Sequence, residues 1–154
     1  MAPFPAVVFD LDGTLTLPGT SRPAPGVVAL VEGLHAAGVD LAVATSASTA
    51  VARRVLDDLG LRGCFAAVAG RGVDGRFEGK EAVVGEALLG LGLTVAAPGT
   101  PMLGDAPGDM AAAVAHGLVP VGVAWSGARE DALRAAGATA VLHRPDELWA
   151  LGAS

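Results

Sequence analysis

Short apolar runs alternate along the whole chain with segments in which apolar residues recur every three or four positions. The short runs predict buried β-strands, because a strand that is covered on both faces has no polar side. The longer recurrence predicts helices that each bury one stripe. We expect strands at residues 6–9, 41–44, 65–69, 101–103, 119–124 and 139–142.

The segments between these strands carry the signals of helices. Glycine follows two of the apolar stripes, at Gly38 and Gly60, as it does where helices end in a left-handed residue. We expect helices over residues 25–38 and 48–59, from residue 80 onwards, and over residues 110–116, 129–136 and 145–151. Residues 16–25 are rich in Pro, Gly, Thr and Ser and predict a loop or a small hairpin flap.

Strict alternation of strands and helices indicates the fold class. It is typical of an α/β protein in which a mainly parallel central sheet is doubly wound, in the Rossmann-like manner, between two layers of helices. The 154 residues contain no internal repeat and no linker. We therefore expect one domain over residues 1–154, long enough to bury a core.

Charge and composition argue against several classes of partner. The chain has a formal net charge of −6, whereas nucleic acids and anionic membranes select basic surfaces. The single cysteine, Cys64, excludes a disulfide framework. No secretory leader precedes the first strand, and proline or glycine interrupts both long uncharged stretches, residues 87–104 and 110–128. We expect a soluble cytoplasmic protein with no membrane span and no nucleic-acid partner.

Polar side chains gather where the predicted strands end. The carboxyl ends of parallel strands meet at one edge of the sheet, which is where such folds bind ligands. Lys80, at the start of a helix, is the only lysine beside nine arginines, and a helix start disfavours a cation unless an anion faces it. The residues that this placement brings to one edge are Asp10, Asp12, Thr45, Ser46, Lys80, Asp105 and Asp109.

Each of these residues also has a purely structural interpretation. Asp12 can support an Asp-Gly turn, Thr45 and Ser46 can cap a helix, and Lys80 can be solvated. Taken together, several carboxylates at one edge favour a hard divalent cation with oxygen ligands, Mg²⁺ before zinc. The three histidines, which lie in different elements, are interpreted as structural. A cation, an ammonium group and a hydroxyl can together neutralise a phosphoryl group.

Four segments of the chain resemble the motifs of the haloacid dehalogenase superfamily of aspartate-nucleophile phosphatases. They are residues 10–15 (Asp-Leu-Asp-Gly-Thr-Leu), Thr45-Ser46, Lys80 and residues 104–109 (Gly-Asp-Ala-Pro-Gly-Asp). The helix over residues 25–38 and the tail over residues 121–151 are most similar to phosphoglycolate-phosphatase-like members. The resemblance implies a phosphoric monoester hydrolase that acts on a phosphorylated small molecule or macromolecule.

The resemblance also implies a role for each site residue. Asp10 would be the nucleophile that forms an aspartyl-phosphate, and Asp12 would be the acid to the leaving oxygen and then the base to water. Thr45, Ser46 and Lys80 would bind the phosphate. The implied ligands of Mg²⁺ are the carboxylates of Asp10, Asp105 and Asp109 and the backbone carbonyl of Asp12.

The chain departs from its phosphoglycolate-type relatives in having no cap domain. About thirty residues separate Leu15 from Thr45, and a core helix uses half of them. Capless relatives act on large substrates or borrow a neighbouring subunit as a lid, so a homo-oligomer is one expectation. A smaller departure is Glu81, which follows Lys80 where proline is common.

Other interpretations stay open from the sequence. A phosphotransferase would use the same residues if something other than water accepted the phosphoryl group, and a catalytically silent binding module would share the fold. Residues 70–75 fit the dinucleotide pattern G-x-G-x-x-G, but no helix is predicted directly after them. Arg71 and Arg76 in this segment either reach an anionic group of a substrate or are solvated.

Overall fold

The computed structural model describes residues 2–72, 77–92 and 98–152. Its centre is a six-stranded sheet in the order β3-β2-β1-β4-β5-β6, and every pair of neighbouring strands is parallel. The strands are β1 (Ala6–Phe9), β2 (Asp40–Ser48), β3 (Ala67–Arg71), β4 (Pro101–Gly104), β5 (Val119–Val123) and β6 (Ala140–Leu142). The predicted doubly wound α/β class is confirmed.

Helices follow the strands in alternation. They are α1 (Val27–Ala36), α2 (Thr49–Asp58), α3 (Lys80–Gly90), α4 (Pro107–Ala115), α5 (Glu130–Ala135) and α6 (Leu148–Leu151). Two short 3₁₀ segments lie at Arg62–Cys64 and Pro145–Glu147. No helix among the residues described is both long enough and apolar enough to cross a membrane.

The strand order fixes where a ligand can enter. The chain winds from β1 outwards through β2 and β3, and then returns to the other side of β1 for β4, β5 and β6. The winding direction therefore reverses between β1 and β4, and the crevice at the carboxyl ends of such strands is the usual ligand site of an open parallel sheet. Residues directly after β1 and β4 face each other across this switch point.

Alternating side chains of β1 supply both halves of the core. Val7 and Phe9 pack with α1 and α2 on one face of the sheet, whereas Val8 packs with α3 and α4 on the other. All three side chains are at most 1% exposed. A strand with no polar position is therefore required at the centre of the sheet, as its sequence predicts.

The structure corrects several predicted boundaries. β2 continues through Thr45 and Ser46 to Ser48, and its pairing with β3 is irregular between Ala44 and Ser48. β3 begins two residues later than predicted, because the 3₁₀ segment before it turns Phe65 edge-on against the ring of Phe9, with 6.1 Å between ring centroids.

The helix boundaries also differ, most clearly in three places. α1 begins at Val27 rather than at residue 25, because Gly26 adopts a φ of 86° and stands as its N-cap. α4 begins at Pro107 rather than at residue 110, so Asp109 lies in its first turn. The last predicted helix is divided into the second 3₁₀ segment and α6.

A small loop replaces a cap domain after β1. Residues 16–24, which we call the flap, are closed by an antiparallel bridge between Thr16 and Pro23 and by a hydrogen bond from the Ala24 amide to the Leu15 carbonyl at 3.0 Å. Between the flap and β2 the chain forms only α1. The expectation of a capless core is therefore confirmed at this position of the chain.

Candidate functional site

Three carboxylates meet at the switch point of the sheet. Asp10 directly follows β1, Asp105 directly follows β4, and Asp109 lies in the first turn of α4. One oxygen atom from each carboxylate lies within 4.8 Å of the other two. Residues almost a hundred positions apart in the chain therefore form one cluster, which we call the acidic cluster.

Backbone geometry brings two of these carboxylates together. The amide of Asp10 donates a hydrogen bond to the carbonyl of Leu103 at 2.9 Å, which holds the end of β1 against β4. Gly13 turns the chain with a φ of 79°, and a Cβ atom there would overlap the carboxylate of Asp105. Glycine at this position is therefore needed both for the turn and for the close approach of Asp105.

Asp109 is held in place from two sides. Its Oδ2 accepts a hydrogen bond from the Ala106 amide at 3.2 Å, as a carboxylate in the first turn of a helix often does. A Cβ atom at Gly104 would overlap the Asp109 side chain, so the last residue of β4 leaves the space that Asp109 fills. The other oxygen, Oδ1, is left to face the acidic cluster.

Lys80 bridges the acidic cluster from the start of α3. Its Nζ lies 2.6 Å from Oδ1 of Asp10 and 2.9 Å from Oδ1 of Asp109. The side chain of Lys80 is 13% exposed, and those of its two partners are 11% and 5% exposed. Lys80 therefore has anionic neighbours that offset the unfavourable placement of a cation at the start of a helix. With all three carboxylates ionised, one ammonium leaves the group with two excess negative charges.

The pKa values in the cluster follow from burial and from this excess of negative charge. Burial, together with the charge of Asp109, raises the pKa of Asp10 to about 7, although Lys80 opposes the shift. Burial and the charge of Asp109 also raise the pKa of Asp105. Burial alone would lower the pKa of Lys80, but the attraction of Asp10 and Asp109 outweighs it and raises that pKa. The cluster therefore favours an added cation.

Asp12 lies outside the acidic cluster and contacts the flap. Its side chain is exposed, and Oδ1 accepts a hydrogen bond from the amide of Gly19 at 2.7 Å. The turn interpretation therefore describes part of what Asp12 does. Among the described residues, no hydrogen bond from the flap to its second oxygen is seen.

The two hydroxyl residues of β2 differ in exposure. Thr45 is buried, and its Oγ1 accepts a hydrogen bond from the Ala47 amide at 3.1 Å. Ser46 is exposed. Since β2 pairs with β1 from residue 40 to 43, both residues lie beyond that pairing on the carboxyl side of the sheet, next to the loop that carries Asp10 and Asp12.

Two contacts that support the site were not predicted from the sequence. The ring Nε2 of His116, at the end of α4, lies 2.7 Å from the Glu81 carbonyl, and it must donate because a carbonyl only accepts. This bond fixes the turn of α3 that carries Lys80. The indole Nε1 of Trp125 donates to the Thr14 carbonyl at 3.0 Å and fixes the loop after β1. Neither residue belongs to a recognisable motif.

Arg71 lies outside the acidic cluster. Arg71 ends β3, is exposed, and has its guanidinium 5.2 Å from the centre of the Phe77 ring. This is a surface cation–π contact. Arg76 lies outside the described residues, as does the Val73–Gly75 part of the glycine pattern.

Comparison with known families gives a match over most of the chain. Residues 17–117 match the family model described as haloacid dehalogenase-like hydrolase. The matched range includes Thr45, Lys80, Asp105 and Asp109, and it begins after Asp10 and Asp12.

Two named relatives are similar in sequence. The tyrosine-protein kinase PtkA of Mycobacterium tuberculosis is 36% identical over 118 residues, which are 77% of this chain and 40% of that protein. This chain therefore spans less than half the length of the kinase that it resembles. The phosphoglycolate phosphatase of Agrobacterium fabrum is 42% identical over 52 residues, which are 34% of this chain and 22% of that enzyme.

Solved structures agree on the fold. A predicted phosphatase from Clostridium acetobutylicum superposes with a TM-score of 0.85 at 22% identity, covering 96% of this chain and 97% of that one. The structure of the Mycobacterium tuberculosis PtkA superposes with a TM-score of 0.67 at 34% identity, covering 86% of this chain and 62% of that one. The first similarity extends over both whole chains and shows a shared fold.

Proposed function

The chain belongs to the haloacid dehalogenase-like hydrolase family, and from this premise we propose that it is a magnesium-dependent phosphomonoester hydrolase that acts through an aspartyl-phosphate. The observation that carries the proposal is the acidic cluster with Lys80 inside it, at the switch point of the sheet. The names of the phosphoglycolate phosphatase and of the predicted phosphatase support the same chemistry.

The donor set fits a magnesium ion. Three carboxylates within 4.8 Å of one another offer the oxygen ligands that Mg²⁺ prefers, and their excess of two negative charges over Lys80 equals the charge of the ion. The ligands would be Asp10, Asp105 and Asp109, with the backbone carbonyl of Asp12. A bound Mg²⁺ would supply positive charge beside the phosphoryl oxygens.

Asp10 is the carboxylate proposed to attack phosphorus. One oxygen of Asp10 forms a bond to phosphorus while the bond from phosphorus to the leaving oxygen breaks, which gives an aspartyl-phosphate and an alcohol. Lys80 holds the attacking carboxylate at 2.6 Å and keeps a positive charge beside it. Thr45 and Ser46, at the neighbouring strand end, are proposed to donate hydrogen bonds to the phosphoryl oxygens.

Asp12 is proposed to move the protons of both steps. It gives a proton to the leaving oxygen, and as a carboxylate it then takes one from the water that attacks the aspartyl-phosphate. The hydrogen bond from the Gly19 amide keeps one of its oxygens in a fixed orientation. A carboxyl group that is exposed at the edge of the crevice can exchange protons with solvent between turnovers.

Asp12→Ala is expected to lower kcat/KM by about 10²–10⁴-fold for benzyl phosphate, because proton donation to the leaving oxygen contributes a factor of that size. The loss should be clearly smaller for 4-nitrophenyl phosphate, whose leaving group departs without a proton. Steady-state kinetics with both substrates give the comparison. Asp40→Ala, at the exposed start of β2, is the matched control. An equal loss for both substrates would mean that Asp12 acts only by holding the flap.

Hydrolysis of a generic aryl phosphate tests the proposed function directly. Activity should be lost when a chelator removes divalent ions and should return with excess Mg²⁺ but not with Ca²⁺, which tolerates higher coordination numbers and longer bonds. Full activity in the presence of the chelator would contradict the metal requirement. No activity on any phosphomonoester with Mg²⁺ would favour a catalytically silent module.

Transfer of the phosphoryl group to a tyrosine hydroxyl is a second candidate, favoured by the 36% identity to a tyrosine-protein kinase. The acceptor would then be a phenol instead of water, and the steps on Asp10 would be the same. The ratio of free phosphate to released alcohol separates the two functions. A hydrolase gives one phosphate per alcohol, whereas a transferase gives less phosphate when a tyrosine peptide is added and phosphorylates that peptide.

A further inference from the structure

A cavity lies beside Asp12, between the flap and the first half of α2. Its volume is about 350 Å³, and the turn after β1, the flap and the loop before α2 all contribute to its walls. This volume is in the range of ordinary ligand sites, which is roughly 300–1,000 Å³. Because Asp12 lines this cavity and is the group proposed to protonate the leaving oxygen, a leaving group held by Asp12 would have the cavity beside it.

The walls of the cavity are largely apolar. Leu11 and Val55 form its buried side, at 4% and 8% exposed, and Ala47 lies near the strand end that carries Thr45. Val51, in the first turn of α2, is 46% exposed although it is a large hydrophobic residue. Val51 therefore adds an apolar side chain to the open part of the wall, where an apolar ligand would contact it.

Several of the polar groups at the cavity are already used by the flap. Oδ1 of Asp12 accepts from the Gly19 amide at 2.7 Å. The hydroxyl of Thr20 donates to the Leu17 carbonyl at 2.8 Å and accepts from the Arg22 amide at 3.2 Å. These hydrogen bonds hold the loop in its conformation. They leave few hydrogen-bonding groups available to a polar ligand.

The charge of the lining residues disfavours an anionic occupant. The described residues that line the cavity include neither lysine nor arginine, and the one ionisable group among them is the carboxyl of Asp12. The ammonium of Lys80 lies against Asp10 and Asp109, and Lys80 is not one of the residues that line the cavity. A second carboxylate or phosphate on the leaving group would therefore meet the carboxyl of Asp12 and no lysine or arginine among the described lining residues.

We propose that this cavity is the leaving-group site and that it selects phosphomonoesters whose leaving group is uncharged and apolar, with an aromatic ring as the best fit. The proposal rests on the proposed function and specifies its substrate class. A cavity of about 150 Å³ is enough to hold benzene in an engineered protein core, so a substituted ring fits here. The class includes phosphorylated phenols and benzyl alcohols and excludes phosphorylated hydroxy acids such as phosphoglycolate.

Benzyl phosphate and phosphoglycolate make the sharpest comparison. Both release an alkoxide of an alcohol, so intrinsic reactivity differs much less between them than between aryl and alkyl esters. We expect the kcat/KM of the unaltered protein with Mg²⁺ to be at least about tenfold higher for benzyl phosphate, since even a small apolar difference in a pocket is worth that factor. An equal or lower value for benzyl phosphate would overturn the proposal.

Variants of Val51 test whether the cavity is responsible. Val51→Arg places a cation at the wall, and it should lower kcat/KM for benzyl phosphate and raise it about fivefold for phosphoglycolate, as an exposed ion pair can. The Val51 amide, which donates to the Ser48 hydroxyl at 3.1 Å, is unaffected by the change. Val51→Ala should lower kcat/KM for benzyl phosphate, because methyl groups are lost from the leaving-group side. The inhibition constant of inorganic phosphate should stay within about twofold of that of the unaltered protein, because phosphate does not occupy that side.

Val114→Arg is the matched control, because Val114 is an exposed valine, 57% exposed, on another helix and away from the cavity. It should leave the ratio of the two kcat/KM values unchanged. The same ratio in Val51→Arg as in the control would overturn the proposal even if the protein is an active phosphatase. Absence of hydrolysis with every ester would instead refute the proposed function, and the substrate class with it.

Discussion

Replacement of Asp10 by asparagine is expected to lower kcat for an aryl phosphate by at least about 10³-fold, since the reaction then lacks its proposed nucleophile. An amide keeps the shape of the carboxyl group but does not attack phosphorus. Rapid acid quenching should trap a covalent phosphoryl group on the unaltered protein and none on Asp10→Asn. The two measurements together separate a lost nucleophile from weakened binding.

The Asp10→Asn protein should remain folded, so that a loss of activity is not caused by unfolding. Burial and the charge of Asp109 raise the pKa of Asp10 to about 7, so the ionised carboxylate costs free energy in the folded state without a bound cation. A neutral amide removes that cost, and the melting temperature in chelator should be equal or higher. Functional sites often show this exchange of stability for activity.

Asp40→Asn is the control for this substitution. Asp40 is exposed at the first position of β2, at the opposite end of the strand from Thr45. Its replacement should leave kcat and the trapped phosphoryl group unchanged. Retained turnover in Asp10→Asn beside an unaffected Asp40→Asn would mean that another residue attacks phosphorus.

The order of the elements was predictable because it depends on local pattern. Runs such as residues 6–9 have no polar position, and only a strand in the middle of a covered sheet buries every one of their side chains. The side of the sheet on which Asp10 and Asp105 meet follows from the same argument, because parallel strands share a carboxyl edge. The strand order β3-β2-β1-β4-β5-β6 needed the structure, since the pattern does not specify which strands are neighbours.

The details of the site could not be predicted from the sequence, because they depend on contacts between residues that are distant in the chain. The single lysine suggested an anionic neighbour, but the bridge from Lys80 to both Asp10 and Asp109 depends on how α3 packs beside α4. The bond from His116 to the Glu81 carbonyl, which fixes that packing, has no signal in the chain. The exposed position of Asp12 and its bond to Gly19 arise from the fold of the flap.

Lys80→Met is expected to lower kcat/KM by about 10²–10³-fold, a loss typical of removing one group that stabilises charge in a transition state. Lys80 is the described cationic partner of Asp10 and Asp109. Without Lys80 and without Mg²⁺, neither carboxylate has a described cationic partner. Breaking a buried ion pair costs up to about 3–5 kcal/mol, and protonation of Asp10 offsets part of that cost. The melting temperature in chelator should fall.

Mg²⁺ should then stabilise Lys80→Met more than it stabilises the unaltered protein. Three carboxylates without an ammonium attract a divalent cation more strongly, and a ligand that binds only the folded state raises the melting temperature according to its affinity. Arg62→Met is the control, because the Arg62–Asp57 pair at 3.2 Å is about half exposed and contributes little. Its response to Mg²⁺ should equal that of the unaltered protein. An equal response in Lys80→Met would mean that the ion does not bind beside Lys80, and the acidic cluster would lose its role as the metal site.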